Sequence, residues 1–203
     1  MKLRSCLSAL TCASALLLGS GCQILPEAQP DPTRYFVLTA PIPGPDQSDG
    51  VSIGLRGLEL PGYLRSTRTM VVARGPNEIS YRDYDRWAEP LDVGLTRVVS
   101  AGLVEADNVG RVFAYPFPPD QPRDFDLLLR VLQCEGFESA EGDRGIRFAL
   151  SYEILRPGAG GEVLRRGLYS ASPRSWNGEA DTLASHLANA AAEAARAVAA
   201  DLP

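Results

Sequence analysis

Apolar and polar positions alternate with period two over much of the chain, and this rhythm gives way twice to spacing near 3.6. Val51, Ile53 and Leu55 alternate with Ser52, Gly54 and Arg56, which predicts a strand. Leu58 and Leu60 fall on the opposite parity, so a bulge or bend is expected near Gly57, before Pro61-Gly62 ends the element. Ahead of it, the aromatic and β-branched run Arg34–Thr39 predicts a first strand. Pro41, Pro43, Gly44, Pro45 and Gly50 make the intervening loop. Thr69–Ala73 reads as a short third strand. Gly75-Pro76-Asn77 turns the chain, and Glu78–Tyr81 returns as a fourth.

Leu91, Leu95, Val98, Val99 and Leu103 stand at helical spacing behind Pro90, whose missing N–H costs nothing in a first turn. They predict a helix over 90–106. Arg111–Tyr115 is a further short strand. Phe125, Leu127, Leu129 and Val131 mark one face of the next, with Leu128, Leu132 and Cys134 on the other, so this strand is expected to be buried on both sides. A polar connection from Gly136 to Gly145 leads to alternation through Phe148, Leu150, Tyr152 and Ile154. A Gly-rich turn at 157–161 leads to Val163–Ala171, giving an antiparallel meander of three strands. Asn177 can cap a last helix striped by Leu183, Leu187, Ala191, Ala194, Val198 and Leu202. The predicted architecture is α/β: a sheet of mixed and antiparallel strands packed with one central and one C-terminal helix, over residues 34–203.

The N-terminus follows another logic. Lys2 and Arg4 precede a short apolar run, small residues follow, and no carboxylate stands before Glu27, the marks of an export signal. The apolar run is too short for a membrane span. Leu18-Gly19-Ser20-Gly21-Cys22 resembles a bacterial lipobox, although the commonest form has Leu three places before the cysteine, where this chain has Gly19. The resemblance implies that residues 1–21 are a signal peptide and that Cys22 carries the lipid, palmitate included. Residues 22–33, with Pro26, Pro30 and Pro32, then read as an extended tether. Gln23, rather than Asp, follows the cysteine, and the lipoprotein resemblance then implies the outer membrane.

Removing 21 residues from 203 leaves 182, one ordinary domain. Lys2 and Arg4 leave with the signal, so 18 cations, all arginine, face 25 carboxylates, a net charge of −7. That balance argues against nucleic acid as a partner and against adhesion to anionic headgroups. Of the four cysteines only Cys134 remains unassigned, inside an apolar run where a small buried hydrophobe is expected. The single histidine, His186, is placed on a polar helix face. There is no His/Cys cluster with zinc spacing, and no Gly-x-Ser-x-Gly. Asp83, Asp85, Glu89 and Asp92 are interspersed with Arg82 and Arg86, and Glu89 and Asp92 flank a helix start, where negative charge is favoured by the dipole. No enzyme and no cofactor is expected.

Two stretches are candidates for contact with a partner. In Arg86-Trp87-Ala88-Glu89-Pro90-Leu91, Pro90 pushes Glu89 out of the α region, Trp87 can pack over the junction, and Arg86 can pair with Glu89. In Leu60-Pro61-Gly62-Tyr63-Leu64, Tyr63 and Leu64 are expected in an exposed turn, where an aromatic and an aliphatic side chain offer anchors. Capping of the sheet's end is the alternative.

Cys22, then Arg34-Tyr35-Phe36-Val37-Leu38, Gly57–Leu64, Met70-Val71-Val72, the Arg86–Leu91 block and Asp124-Phe125-Asp126-Leu127 follow one another in an order that resembles the ABC-type transport auxiliary lipoproteins, the family of paraquat-inducible protein C. Where the usual family pattern puts a proline before the third strand, this chain has Thr67-Arg68-Thr69. The resemblance implies a non-catalytic α/β domain on the periplasmic side of the outer membrane. It also implies service to a lipid-trafficking system that pairs an ABC transporter with a periplasm-spanning MCE-domain protein. Docking that protein, through Pro61, Tyr63, Leu64, Arg86, Trp87 and Glu89, is the expected role. A periplasmic carrier that binds lipid in an apolar cleft is the alternative, and an anchored hydrolase suffers from the missing nucleophile–base pair. Homo-oligomerisation stays open.

Overall fold

The computed structural model describes residues 29–40, 42, 49–118, 120–158 and 160–203. The expected signal peptide, Cys22 and the tether as far as Ala28 lie outside the described residues. The elements are β1 (Arg34–Phe36), β2 (Val51–Glu59), α1 (Gly62–Arg65), β3 (Thr69–Ala73), β4 (Ile79–Trp87), α2 (Leu91–Val104), β5 (Val109–Ala114), β6 (Phe125–Glu138), β7 (Arg144–Leu155), β8 (Val163–Ser170) and α3 (Ala180–Ala200).

The mixed eight-stranded sheet is organised around β6, which is long enough to take two neighbours in succession along one edge. Its first half pairs in parallel with β2, Ile53 beside Phe125 through Glu59 beside Arg130. Its end pairs in parallel with β3, Val72 beside Gly136 and Ala73 beside Phe137. β5 continues one arm outside β2; β4 and then β1 continue the other outside β3. Along the opposite edge β7 runs antiparallel and β8 follows, which is the expected meander. The sheet therefore forks on one side of β6, and Val131–Glu135 lie in the gap.

The two longer helices pack against each other and against the sheet over a single apolar core. Every residue of the stripe predicted for α2 is buried, as are Leu183, Leu187, Ala191, Ala194 and Val198 of α3. The helices approach closely because small residues meet there: a Cβ on Gly102 would stand 2.9 Å from the Cβ of Ala195. Among the described residues no helix is long and apolar enough to cross a membrane.

Two bulges set which side chains reach the core. The register of β2 against β6 shifts between Leu55 and Gly57, where Gly57 takes φ +150°, so Leu58 and Leu60 return to the core side as their parity predicts. The second corrects an expectation. Strand β6 is not buried on both sides: Leu132 is 41% exposed and Leu128 only half-buried. The register against β7 slips between Val131 and Gln133, leaving Leu132 as the extra residue and rotating Cys134 onto the face of Val131. Cys134 is a core residue because of the bulge.

Several boundaries also differ. The first strand is shorter than Arg34–Thr39, and the fourth runs on to Trp87, because β1 pairs with Asp85–Trp87 and holds that end extended. Asn177 does not cap α3: its Oδ1 accepts the Glu179 N–H at 3.0 Å, a local turn one step before the helix. His186 is half-buried rather than solvated, with an Nδ1 that is shut away from solvent.

Candidate functional site

The fork in the sheet leaves polar backbone without a strand partner, and the connection between β2 and β3 closes it. Pro61 precedes the single helical turn α1, where Leu64 and Arg65 N–H groups donate to the Pro61 carbonyl, both at 3.1 Å. This turn decides the fate of the two predicted anchors. Leu64 is 3% exposed and belongs to the core. Tyr63 is half-buried, and its hydroxyl donates to Glu135 Oε2 at 2.6 Å.

Glu135, itself 3% exposed, stands in the gap between the two arms. The same Oε2 accepts the Cys134 N–H at 3.0 Å. Burial pushes the Glu135 carboxyl above its ordinary range, opposed by those two hydrogen bonds and by the charge of Arg147. Burial, with Glu135 as acceptor and neighbouring charge, pushes the Tyr63 phenol up. Burial and the same carboxylate raise the Cys134 thiol, so this cysteine is un-ionised and inert. The group has the form of a satisfied buried polar network, whose chemistry is structural.

The expectation of an exposed Tyr63–Leu64 pair is thus corrected: a helical turn, not an open loop, follows Pro61, and it aims Leu64 inward. Leu64→Ala is expected to cost about 2–5 kcal/mol, the range for emptying a buried leucine site. Tyr63→Phe, which leaves Glu135 with one donor fewer, is expected to cost about 1–3 kcal/mol. Urea denaturation of each variant checks both, and a Leu64→Ala loss under about 0.5 kcal/mol, the size of an ordinary surface change, would return this turn to the surface.

At the other candidate stretch, Trp87 is 4% exposed and fills the junction between β4 and α2 as packing. Arg86 and Glu89 do not pair. Glu89 is held by Arg97, in the second turn of α2, and Arg86 points outward, its Nε donating to the Asp83 carbonyl at 3.2 Å. Of the acidic cluster, Asp85 is buried and bound by Arg34 at 2.8 Å and Arg82 at 2.6 Å, and Asp92 occupies the first turn of α2. Among the described residues no group of His, Cys, Asp and Glu is arranged to hold a metal ion.

A model of the family described as ABC-type transport auxiliary lipoprotein component matches residues 36–199, the whole folded domain but for its two ends. The chain belongs to that family. The Arg86–Leu91 block of this auxiliary lipoprotein is the β4–α2 junction, and its Gly57–Leu64 block is the β2 bulge with the turn that closes the fork. Both motifs mark places where the backbone geometry is demanding.

No curated protein matches the sequence. Among solved structures, a Xanthomonas campestris protein of the family DUF330 is 13% identical, with a TM-score of 0.65, covering 82% of this chain and 93% of that one. An uncharacterized protein is 17% identical with the same TM-score, 0.65, covering 84% and 99%. At these identities the likeness is one of fold.

Sequence reasoning missed a second buried carboxylate. Asp126, fully buried near the start of β6, accepts Arg123 Nε on Oδ1 at 2.9 Å and Arg56 Nε on Oδ2 at 3.0 Å. Arg123 also lies over the Phe117 ring, 4.0 Å from its centroid. Gly54 makes room, since a Cβ there would stand 2.5 Å from Asp126 Oδ1. The available signal was an aspartate set between Phe125 and Leu127 in the apolar opening of the strand.

Proposed function

We propose that the protein is a non-catalytic outer-membrane lipoprotein of an ABC transporter/MCE-type lipid transport system. Acyl chains on Cys22 hold it at the periplasmic face, and the domain docks the far end of the periplasm-spanning MCE-domain protein. The observation that carries this reading is the family match over residues 36–199, together with the lipobox-like segment that precedes it. The buried carboxylates Glu135, Asp85 and Asp126 are each engaged in hydrogen bonds that hold the fold.

The structure narrows the sequence candidates for contact. Leu64 and Trp87 belong to the core, Pro61 and Glu89 are half-buried, and Tyr63 is turned toward Glu135. Arg86 is exposed and pairs in register with Tyr35, which is 65% exposed, while Tyr84 two residues earlier is 59% exposed. Tyrosine and arginine are the residue types that most often anchor an interface. We assign the MCE contact to Tyr35, Tyr84 and Arg86, on the arm of the sheet where the tether joins.

Capture of the lipidated full chain from detergent-solubilised membranes, followed by identification of the bound proteins, tests the reading. An MCE-domain protein is expected in the eluate, and much less of it with Tyr84→Ala combined with Arg86→Ala. An eluate without any MCE-domain protein would contradict the docking role. Phospholipid carried instead by the purified protein would favour a lipid carrier.

A further inference from the structure

The end of the sheet beyond the start of α3 carries an arrangement that the docking role does not use. Four adjacent strands contribute to it. Ser80 and Arg82 of β4, Val72 of β3 with Arg74 just past it, Glu138 of β6 and Arg144 of β7 line one pocket of about 240 Å³. The loop Trp176–Glu179 closes it on the helix side. Trp176 packs over Gly136, where a Cβ would stand 2.8 Å from its ring, and its Nε1 donates to the Glu179 carbonyl at 2.7 Å. The Arg82 guanidinium lies over that indole at 5.7 Å and donates to the Gly178 carbonyl at 2.9 Å and to Asp85.

The charges are unevenly matched. Arg144 binds one oxygen of Glu138 through Nε at 3.0 Å and Nη2 at 2.8 Å. Arg74 reaches the other oxygen only at 3.9 Å, and among the described residues its guanidinium donates no hydrogen bond. Arg34 and Arg82 share the single carboxylate of Asp85. Three guanidiniums, those of Arg74, Arg82 and Arg144, and two carboxylates, those of Glu138 and Glu179, line the pocket, with Glu78 beside Arg74, in a domain whose net charge is negative. The hydrogen bond from Arg144, joined by the charges of Arg144, Arg74 and Arg82, holds the Glu138 carboxyl below its ordinary range.

Guanidinium groups present planar forks of donors that match phosphate oxygens, and Arg74, 56% exposed at its side chain, presents such a fork at the pocket mouth. We infer that this pocket binds a phosphate-type oxyanion, gripped by Arg74 and Arg144 over the Arg82–Trp176 stack, with Glu138 as the internal competitor. The phosphate can belong to a phospholipid headgroup or to a small free phosphate. The inference stands apart from the docking role, and either can fail alone.

Isothermal titration calorimetry on the purified full chain tests it, with inorganic phosphate in one arm and sub-micellar dihexanoyl phosphatidylglycerol in the other. Saturable binding is expected in at least one arm. Both would identify the phosphate group itself as the determinant, phosphate alone a free ligand, and lipid alone a headgroup. Arg74→Gln, whose side chain donates no hydrogen bond among the described residues and loses only a loose ion pair with Glu138, should weaken binding about tenfold, and Arg144→Gln similarly. Glu138→Gln should tighten it about tenfold by removing the competitor. Absence of binding in both arms by protein with a native circular dichroism spectrum would overturn the inference. So would binding that Arg74→Gln and Glu138→Gln both leave unchanged.

Discussion

Trp87→Ala is expected to lower the free energy of unfolding by about 3–5 kcal/mol, the usual range for truncating a buried large aromatic. Trp87 ends β4, where three requirements meet. Its N–H donates to the Arg68 carbonyl at 2.6 Å, its strand is held by Phe36 of β1, and the next N–H, of Ala88, donates to the Phe36 carbonyl at 2.8 Å. Two residues later Pro90 starts α2. The indole is packed with the same core that takes Leu38, Leu91 and Leu95, so its removal opens a cavity where strand, edge and helix join. Relaxation there is limited, because the backbone on each side is fixed by hydrogen bonds. Guanidinium denaturation of the variant measures the loss. A change below about 1 kcal/mol, the centre of the range for point mutants, would show that the indole does not fill the junction.

The second large effect is expected at Asp126. Its carboxylate is wholly buried, and Arg123, 18% exposed at the side chain, and Arg56 converge on it. Asp126→Ala removes the shared acceptor and leaves two guanidiniums without it, one of them mostly out of water. Breaking a buried pair from one side costs about 3–5 kcal/mol, mainly through the charge left behind. Glu59→Ala is the internal control. Glu59 pairs with Arg130 at 2.9 Å, but both side chains are at least half exposed, so its loss is expected to stay within about 1 kcal/mol. Equal effects from the two substitutions would show that the Asp126 cluster gains nothing from its burial.

The helices and the bulge at Gly57 were readable in the chain because each leaves a periodic trace. α2 carries five leucines and valines at helical spacing, and the leucines of β2 change parity at the very residue where the register shifts. The second bulge was not readable. Leu128 and Leu132 beside Leu127 and Val131 look like a strand apolar on both faces, and only the pairing with β7 shows that one residue is looped out. The fork of β6 left no trace either, since it depends on which distant strands share an edge. That is also why Tyr63 and Leu64 were misplaced. A single helical turn is too short to show periodicity, and the partner that fixes Tyr63, Glu135, lies 72 residues away. Of the contact candidates, the burial of Trp87 followed from the proline after its strand. The exposure of Arg86 beside Tyr35 and Tyr84 required the parallel pairing of β1 with β4, which no local pattern encodes.

We propose that acyl chains on Cys22 hold this domain at the outer membrane. A single acyl chain anchors only marginally, whereas two or more together hold stably at about 0.8 kcal/mol per buried CH₂. The most direct measurement is density-gradient separation of envelope membranes from cells producing the wild-type chain or Cys22→Ser. The wild-type protein is expected in the outer-membrane fractions, and the variant in the soluble fraction or as an uncleaved precursor. Recovery of the wild-type chain with inner-membrane vesicles would contradict the assigned membrane, and a Cys22→Ser protein that stays in the outer-membrane fractions, processed as before, would contradict the anchor itself.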